Sequence, residues 1–177
     1  MAADRVGATV IIVMGVAGSG KTTVGRLLAD ALDADYAEGD AYHSVENVAK
    51  MESGTPLDDA DRAPWLAGMV ADIDRWLASG QRTVLACSAL KQRYRDVLIG
   101  DRRDVVLVHL TGPESLIRDR LAARKSHYMP AGLLASQVAA LEAPDDALTI
   151  DIGPAPNVIS TGILDRLRQD RNSKTDL

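Results

Sequence analysis

Apolar residues in this chain follow two rhythms. In the first they run almost unbroken, as in ATVIIVM (8–14), RTVLACS (82–88) and DVVLVHL (104–110), with ALTIDI (147–152) and a weaker ADYAE (34–38) completing the set. Runs of this kind, rich in Val, Ile and Leu, predict strands of a parallel sheet covered on both faces. In the second rhythm apolar residues recur at helical spacing. Val24, Leu27, Leu28, Ala31 and Leu32 share one helical face, and Trp65, Leu66, Met69, Val70, Ile73, Trp76 and Leu77 share another. Asp58 or Asp61 is placed to cap the second of these helices, Pro64 to sit in its first turn, and Gly80 to end it. Strands alternating with helices predict an α/β fold, with ligands at the carboxyl ends of the strands.

The chain has 177 residues, enough for one domain (1–177) with a proper core, and no repeat or linker divides it. Aromatic residues make up only 3% and Phe is absent, so Leu, Val, Ile, Ala and Met must fill the interior. A net charge of −5 argues against a general nucleic-acid binder. Cys87 is the only cysteine, which excludes an internal disulfide and suits a reducing cytoplasm. No apolar run reaches the ~18 residues of a membrane span. Arg5 followed by apolar residues imitates a secretion signal, but cleavage after Ala17 would cut through the motif that follows, so residues 9–14 are read as a buried strand.

That motif is GVAGSGKT, residues 15–22, a full match to G-x-x-x-x-G-K-[ST] between a predicted strand and a predicted helix. A chance match somewhere in a chain of this length is on the order of 1%. The glycines let successive backbone N–H groups converge at the positive end of a helix. Lys21 is placed to reach the β- and γ-phosphates and the Thr22 hydroxyl to ligate Mg²⁺. The guanine-reading N-K-x-D is absent, and the one D-x-x-G (Asp4 to Gly7) precedes the loop, which disfavours a GTP switch. A small-molecule kinase is expected, with a regulatory NTP-binding module as the alternative from another class.

Acceptor chemistry is expected beside this loop. The second strand ends in EGDAYH. Two roles are open to Asp40: orienting and deprotonating an attacking hydroxyl, or capping a helix. Glu38 is placed to hold Mg²⁺ through water. Lys50 and Arg62 are cations among acids, solvated by default. After the third strand, CSALKQRYRD places Ser88, Lys91 and Arg95 near its carboxyl end, and Lys91 and Arg95 lie at i, i+4. The two cations suit an anionic group on an acceptor; an exposed amphipathic helix has the same spacing. Arg118, Arg120, Arg124, Lys125 and His127 end a further helix, where arginines serve either a transferring phosphoryl group or the helix dipole. His109, within a strand, is read as a satisfied core histidine. No His, Cys or carboxylate spacing suggests a transition-metal site.

Taken together, MGVAGSGKTT, EGDAYHSVENVAKMESGTPLDDADRAPWL, CSALKQRYRD and ARKSHYMPAGLLASQVAALEAP resemble the gluconokinase family, within the shikimate-kinase and nucleoside-monophosphate-kinase group. The resemblance runs from residue 14 to 144. It implies a P-loop three-layer α/β/α fold with a five-stranded parallel sheet and a mobile lid at roughly 118–134. It implies ATP and Mg²⁺, the 6-hydroxyl of D-gluconate as acceptor and a homodimer; a same-fold kinase of another hydroxy acid such as shikimate is the nearest rival. The nucleotide contacts it implies are Gly15, Val16, Ala17, Gly18, Ser19, Gly20, Lys21, Thr22 and Thr23, with Arg120 and Pro156; the turn IDIGPAPNVI would meet adenine through its backbone. The acceptor contacts are Asp40, His43, Arg62, Ser88, Lys91, Arg95 and His127. Lys21, Asp40 and Arg124 are the expected catalytic residues, with Arg120 and Arg124 on the lid and Thr22 and Glu38 at the metal. The chain departs from the family pattern at Glu38, where Asp is usual, at Ser126, where Gly is customary, and at Tyr128 and Val138, where Phe is common. Residues from Arg171 are expected to form a frayed tail.

Overall fold

The computed structural model describes residues 9–123 and 131–175. Strand β1 (Val10–Met14) leads through the glycine loop into helix α1 (Lys21–Leu32), then β2 (Asp35–Glu38), a 3₁₀ turn (Gly39–Tyr42), α2 (Val45–Glu52), α3 (Asp59–Ser79) and β3 (Thr83–Ala86). Helix α4 (Gln92–Ile99), β4 (Val105–Thr111), α5 (Glu114–Ala122), α6 (Ala131–Ala140), β5 (Leu148–Asp151) and α7 (Pro156–Thr175) follow. The five strands form one parallel sheet in the order β2-β3-β1-β4-β5. The chain travels to one side of β1 for β2 and β3 and to the other for β4 and β5. The carboxyl end of β1 is therefore the topological switch point, where such sheets bind ligands.

Alternation along β1 explains the three layers. Ile11 and Val13 pack with Val24 and Leu28 of α1 and Ile159 and Ile163 of α7, on one side of the sheet. Val10, Ile12 and Met14 pack with Trp65, Met69, Ile73 and Trp76 of α3 and Tyr94 and Leu98 of α4, on the other. A strand sandwiched this way has no polar face, hence its unbroken apolar run. Cys87 continues β3 into the second cluster as a small apolar residue, and burial pushes its thiol up to about 12.

The predicted faces need two corrections. On α1 the buried stripe is Val24, Gly25, Leu28 and Ala29, and Ala31 is exposed. The cause is the close seat of the helix: a methyl group on Gly25 would lie 3.0 Å from the Tyr36 ring, so the small residues turn inward. On α3 Asp58 is the cap, in a reciprocal box with Asp61, and Gly80 ends the helix in the left-handed conformation. Pro64 is then the sixth helical residue, in the second turn, where it forgoes the bond to Ala60. At the C-terminus Pro156 opens α7 at the favoured first position. That helix runs to Thr175, so the expected tail from Arg171 begins inside it.

Candidate active site

The glycine loop occupies the switch point. A methyl group on Gly15 would lie 2.6 Å from Ser19 Oγ and 2.7 Å from the Leu110 carbonyl, so only glycine allows the loop to turn against β4. Val16 and Ser19 are buried within the loop, and the Ser19 N–H donates to the Val16 carbonyl at 3.2 Å. Lys21 folds its Nζ back to the same carbonyl at 3.1 Å, which holds the ammonium over the loop. Thr22 and Thr23 are exposed in the first turn of α1. The N-terminal amides of α1 thus open on the cleft, the arrangement that binds phosphate.

Thr22 and Glu38, both expected at the metal, bond each other directly. Thr22 Oγ1 donates to Glu38 Oε2 at 2.9 Å, and the Tyr36 hydroxyl donates to the same oxygen at 2.6 Å. Burial and the neighbouring carboxylate push the Tyr36 phenol well above its usual range, which keeps it a proton donor. No group of three or more His, Cys, Asp or Glu gathers as a metal cage among the described residues. Mg²⁺ in phosphate sites takes few protein ligands and fills its octahedron with phosphate and water, so one hydroxyl beside one carboxylate fits it.

A cleft of about 380 Å³ opens from the loop, lined by Ala17, Lys21, Thr22, Glu38, Asp40, His43, Arg62, Trp65, Ser88 and Gln137 among others. Of the two roles open to Asp40, the geometry excludes the cap. Asp40 lies in the 3₁₀ turn, α2 is capped by Ser44, and the exposed Asp40 carboxylate accepts no hydrogen bond among the described residues. His43 stacks flat on Trp65, ring centres 4.9 Å apart, and burial holds its imidazole below the usual range. Arg62 stands over the Tyr94 ring at 5.6 Å. Among the described residues its guanidinium has no ion pair or hydrogen bond, leaving its charge available to a ligand. Lys50, by contrast, pairs with Asp61 at 2.7 Å and is a surface charge.

Lys91 and Arg95 do not form the paired patch that their spacing suggests. Lys91 is the N-cap residue of α4, with Nζ 3.4 Å from Asp59 Oδ1. Asp59 also takes hydrogen bonds from Arg93 and from the Tyr94 hydroxyl, and these partners hold its carboxyl below the usual range. Arg95 turns inward and is 1% exposed. It donates to the carbonyls of Ala89 at 2.9 Å, Leu90 at 3.0 Å and Glu142 at 2.8 Å, and to Gln92 Oε1 at 2.7 Å. Ala89 has φ 42°, a left-handed conformation that disfavours a Cβ, and Arg95 clamps it. Arg95 therefore shapes the loop that presents Ser88 rather than meeting the acceptor itself.

Arg120 borders the loop and donates to the Ile152 carbonyl at 2.6 Å, tying α5 to the turn before Pro156, which is exposed. Arg118 pairs on the surface with Glu114. His109 is buried, but its Nε2 has no partner among the described residues, so it is not the satisfied histidine expected. Arg124, Lys125 and His127, with the centre of the expected lid, lie outside the described residues.

Two contributors escape the sequence reading. Tyr36 lies in a strand of weak pattern, where a Tyr two residues before an acid shares its face of the strand. Gln137 accepts a hydrogen bond from the Ala17 N–H through Oε1 at 2.7 Å. Its signal was a polar residue one turn from Leu133, on a helix otherwise built from small and apolar side chains.

A family model described as an AAA domain matches residues 10–144. A probable gluconokinase of Rattus norvegicus is 42% identical over 90% of this chain and 97% of its own length. The gluconokinase of Gluconobacter oxydans (strain 621H) is 48% identical over 77% of this chain and 76% of its own. The crystal structure of a gluconokinase from Sinorhizobium meliloti 1021 superposes with a TM-score of 0.83 at 38% identity, covering 94% of this chain and 97% of that one. With a phosphate loop, Asp40 and Arg62 lining one cleft, and with relatives matched over most of their length, the chain belongs to the gluconokinase family.

Proposed function

We propose that the protein is an ATP:D-gluconate 6-phosphotransferase, forming 6-phospho-D-gluconate and ADP. The observation that carries this reading is the single cleft holding Lys21, Asp40 and Arg62 together. Phosphoryl transfer calls for positioning and charge stabilisation more than covalent chemistry, and this cleft supplies both. Loop amides and Lys21 hold the triphosphate, while Arg62 receives the gluconate carboxylate and Ser88 and His43 its hydroxyls. Asp40 orients the 6-hydroxyl and takes its proton as the new O–P bond forms and the bond to the β-phosphate oxygen breaks. Thr22, and Glu38 through water, would hold Mg²⁺, which would supply charge neutralisation to the triphosphate. Arg120 is assigned to the nucleotide side, and Arg124 and His127 to the segment closing over the transferred group. Lys91 is assigned to the acceptor side at the cleft rim, and the turn at Pro156 to adenine. A cytoplasmic homodimer acting without nucleic acid or membrane completes the proposal; among the described residues no helix is long and apolar enough to cross a membrane.

An acceptor screen with ATP and Mg²⁺ tests it. A site built around a cation leaves that charge unpaired when the acceptor lacks a carboxylate, which costs several kcal/mol. Turnover is expected with D-gluconate, with kcat/KM for D-glucose lower by about 10²-fold or more. Comparable values would refute the assignment. Turnover of shikimate would favour the rival kinase, and slow hydrolysis indifferent to any acceptor would favour a regulatory module.

A further inference from the structure

The Ala17–Gln137 contact spans 120 residues and joins the phosphate loop to α6. A backbone N–H can only donate, so the Gln137 carboxamide must present its oxygen to Ala17, which fixes the orientation of the group. Its Nε2, carrying two N–H donors, then points away from Ala17. Among the described residues those donors have no hydrogen-bond partner, and the residue lines the cleft that also holds Lys21 and Asp40. Leu133, one turn earlier on α6, lines the same cleft and seats the helix against it. Two donors without a partner, on a residue lining a cavity that must hold a polyanion, call for an anionic oxygen.

Ala17 sits on the limb of the loop that leaves β1. The inner phosphates belong to the other limb, where the amides of Gly20, Lys21 and Thr22 open α1. The reacting phosphoryl group must lie between that cradle and Asp40, in the cleft that Gln137 also lines. We propose that Gln137 binds the terminal phosphoryl group of the bound triphosphate through Nε2, while Oε1 anchors α6 to the loop. The enzyme would then read the presence of a third phosphate through a neutral carboxamide. This rests on the proposed kinase reading only in taking ATP as the ligand.

Equilibrium binding of ATP and of ADP, each with Mg²⁺ and without acceptor, tests the assignment in Gln137→Leu and Gln137→Glu. Both variants are checked for folding by thermal melting. Leucine removes the donors at similar bulk, and glutamate keeps an acceptor for Ala17 while setting an anion against the phosphate. A hydrogen bond to a charged group corresponds to roughly 10-fold or more in affinity. ATP affinity is expected to fall about 10-fold in Gln137→Leu and further in Gln137→Glu, with ADP affinity held within about 3-fold. Equal weakening of both nucleotides would leave Gln137 as a structural tether and overturn the proposal, as would no weakening of either. Should glutamate fail to fold, leucine alone decides. Because no acceptor is present, failure of gluconate turnover would bear on the proposed activity and leave this result intact.

Discussion

The indole N–H of Trp65 donates to the carbonyl oxygen of Gly39 at 2.8 Å. Through this bond the second turn of α3 holds the residue immediately before Asp40. The same indole carries the stacked His43, so one side chain positions both ends of the 3₁₀ turn. Trp65→Phe keeps an aromatic surface but leaves the Gly39 carbonyl unpaired, at a cost of about 1–3 kcal/mol. For a chain of this size that corresponds to a melting temperature lower by roughly 2–12 °C. The expected kinetic signature is a reduced kcat with little change in KM for ATP, read from steady-state assays beside the melting curve.

Gly39 is constrained from the opposite side as well. A methyl group there would lie 2.6 Å from the Ala86 carbonyl and 3.2 Å from Cys87 Cα, both backbone atoms of the neighbouring strand segment. Gly39→Ala must push the turn away from β3 and carry Asp40 with it. Overpacking of this kind costs ~1–3 kcal/mol. Activity should fall further than stability alone explains, and a variant with normal kcat at 25 °C would show that the position of Asp40 tolerates displacement.

Asp40→Asn separates chemistry from structure. The carboxylate accepts no hydrogen bond among the described residues and caps no α-helix, so its loss should leave the melting temperature within about 2 °C. Losing a positioned proton acceptor costs ~10²–10⁴-fold in kcat, and a loose phosphoryl-transfer transition state places the effect at the low end. ATP affinity should stay within a few-fold. Near-normal turnover would remove Asp40 from the mechanism.

Arg95 offers the reverse case. Arg95→Met removes a guanidinium that satisfies three backbone carbonyls, each costing about 1–3 kcal/mol when left unpaired and buried. A severe fall in melting temperature is expected. In whatever fraction folds, KM for gluconate should rise more than KM for ATP, because the clamped loop presents Ser88. A stable variant with a purely kinetic defect would return Arg95 to the acceptor site.

Acid should destabilise the fold in a window set by its histidines. Burial holds His43 and His109 below the ordinary value of 6.5, so the folded chain binds fewer protons than the unfolded one. Their contribution is complete above pH 6.5 and is lost as pH falls through the depressed values. Asp59, Asp61, Asp72 and Asp74 have depressed pKa values, and their contributions are lost only below about pH 4. The melting temperature should therefore drop as pH falls below 6.5, before the carboxylates begin to protonate, and His43→Gln should flatten that slope. An unchanged slope would mean that His43 titrates freely in the folded protein.

The parts legible in the sequence share one property: their signal is local. A phosphate loop is a run of adjacent residues, and an unbroken apolar strand such as β1 or β4 records its burial along its own length. Arg95 misled because i, i+4 spacing places two side chains on one face of a helix, and Lys91 is the cap, outside the helix. The rotation of α1 depends on Tyr36 meeting Gly25, a contact between two elements that neither pattern contains. Gln137 and Ala17 lie 120 residues apart, and nothing near either residue names the other.

Cys87 gives the fold a built-in stopwatch. The thiol is 1% exposed, and burial suppresses the thiolate on which alkylating reagents depend. Modification must then wait for the end of β3 to part from β1 in the interior of the sheet, an opening close to global unfolding. The next residue, Ser88, lines the ligand cleft, so any molecule gripping that cleft should lengthen the wait by a factor of one plus the ratio of its free concentration to its Kd. The chain's one thiol would thus time how firmly each nucleotide and each sugar acid locks the molecule shut.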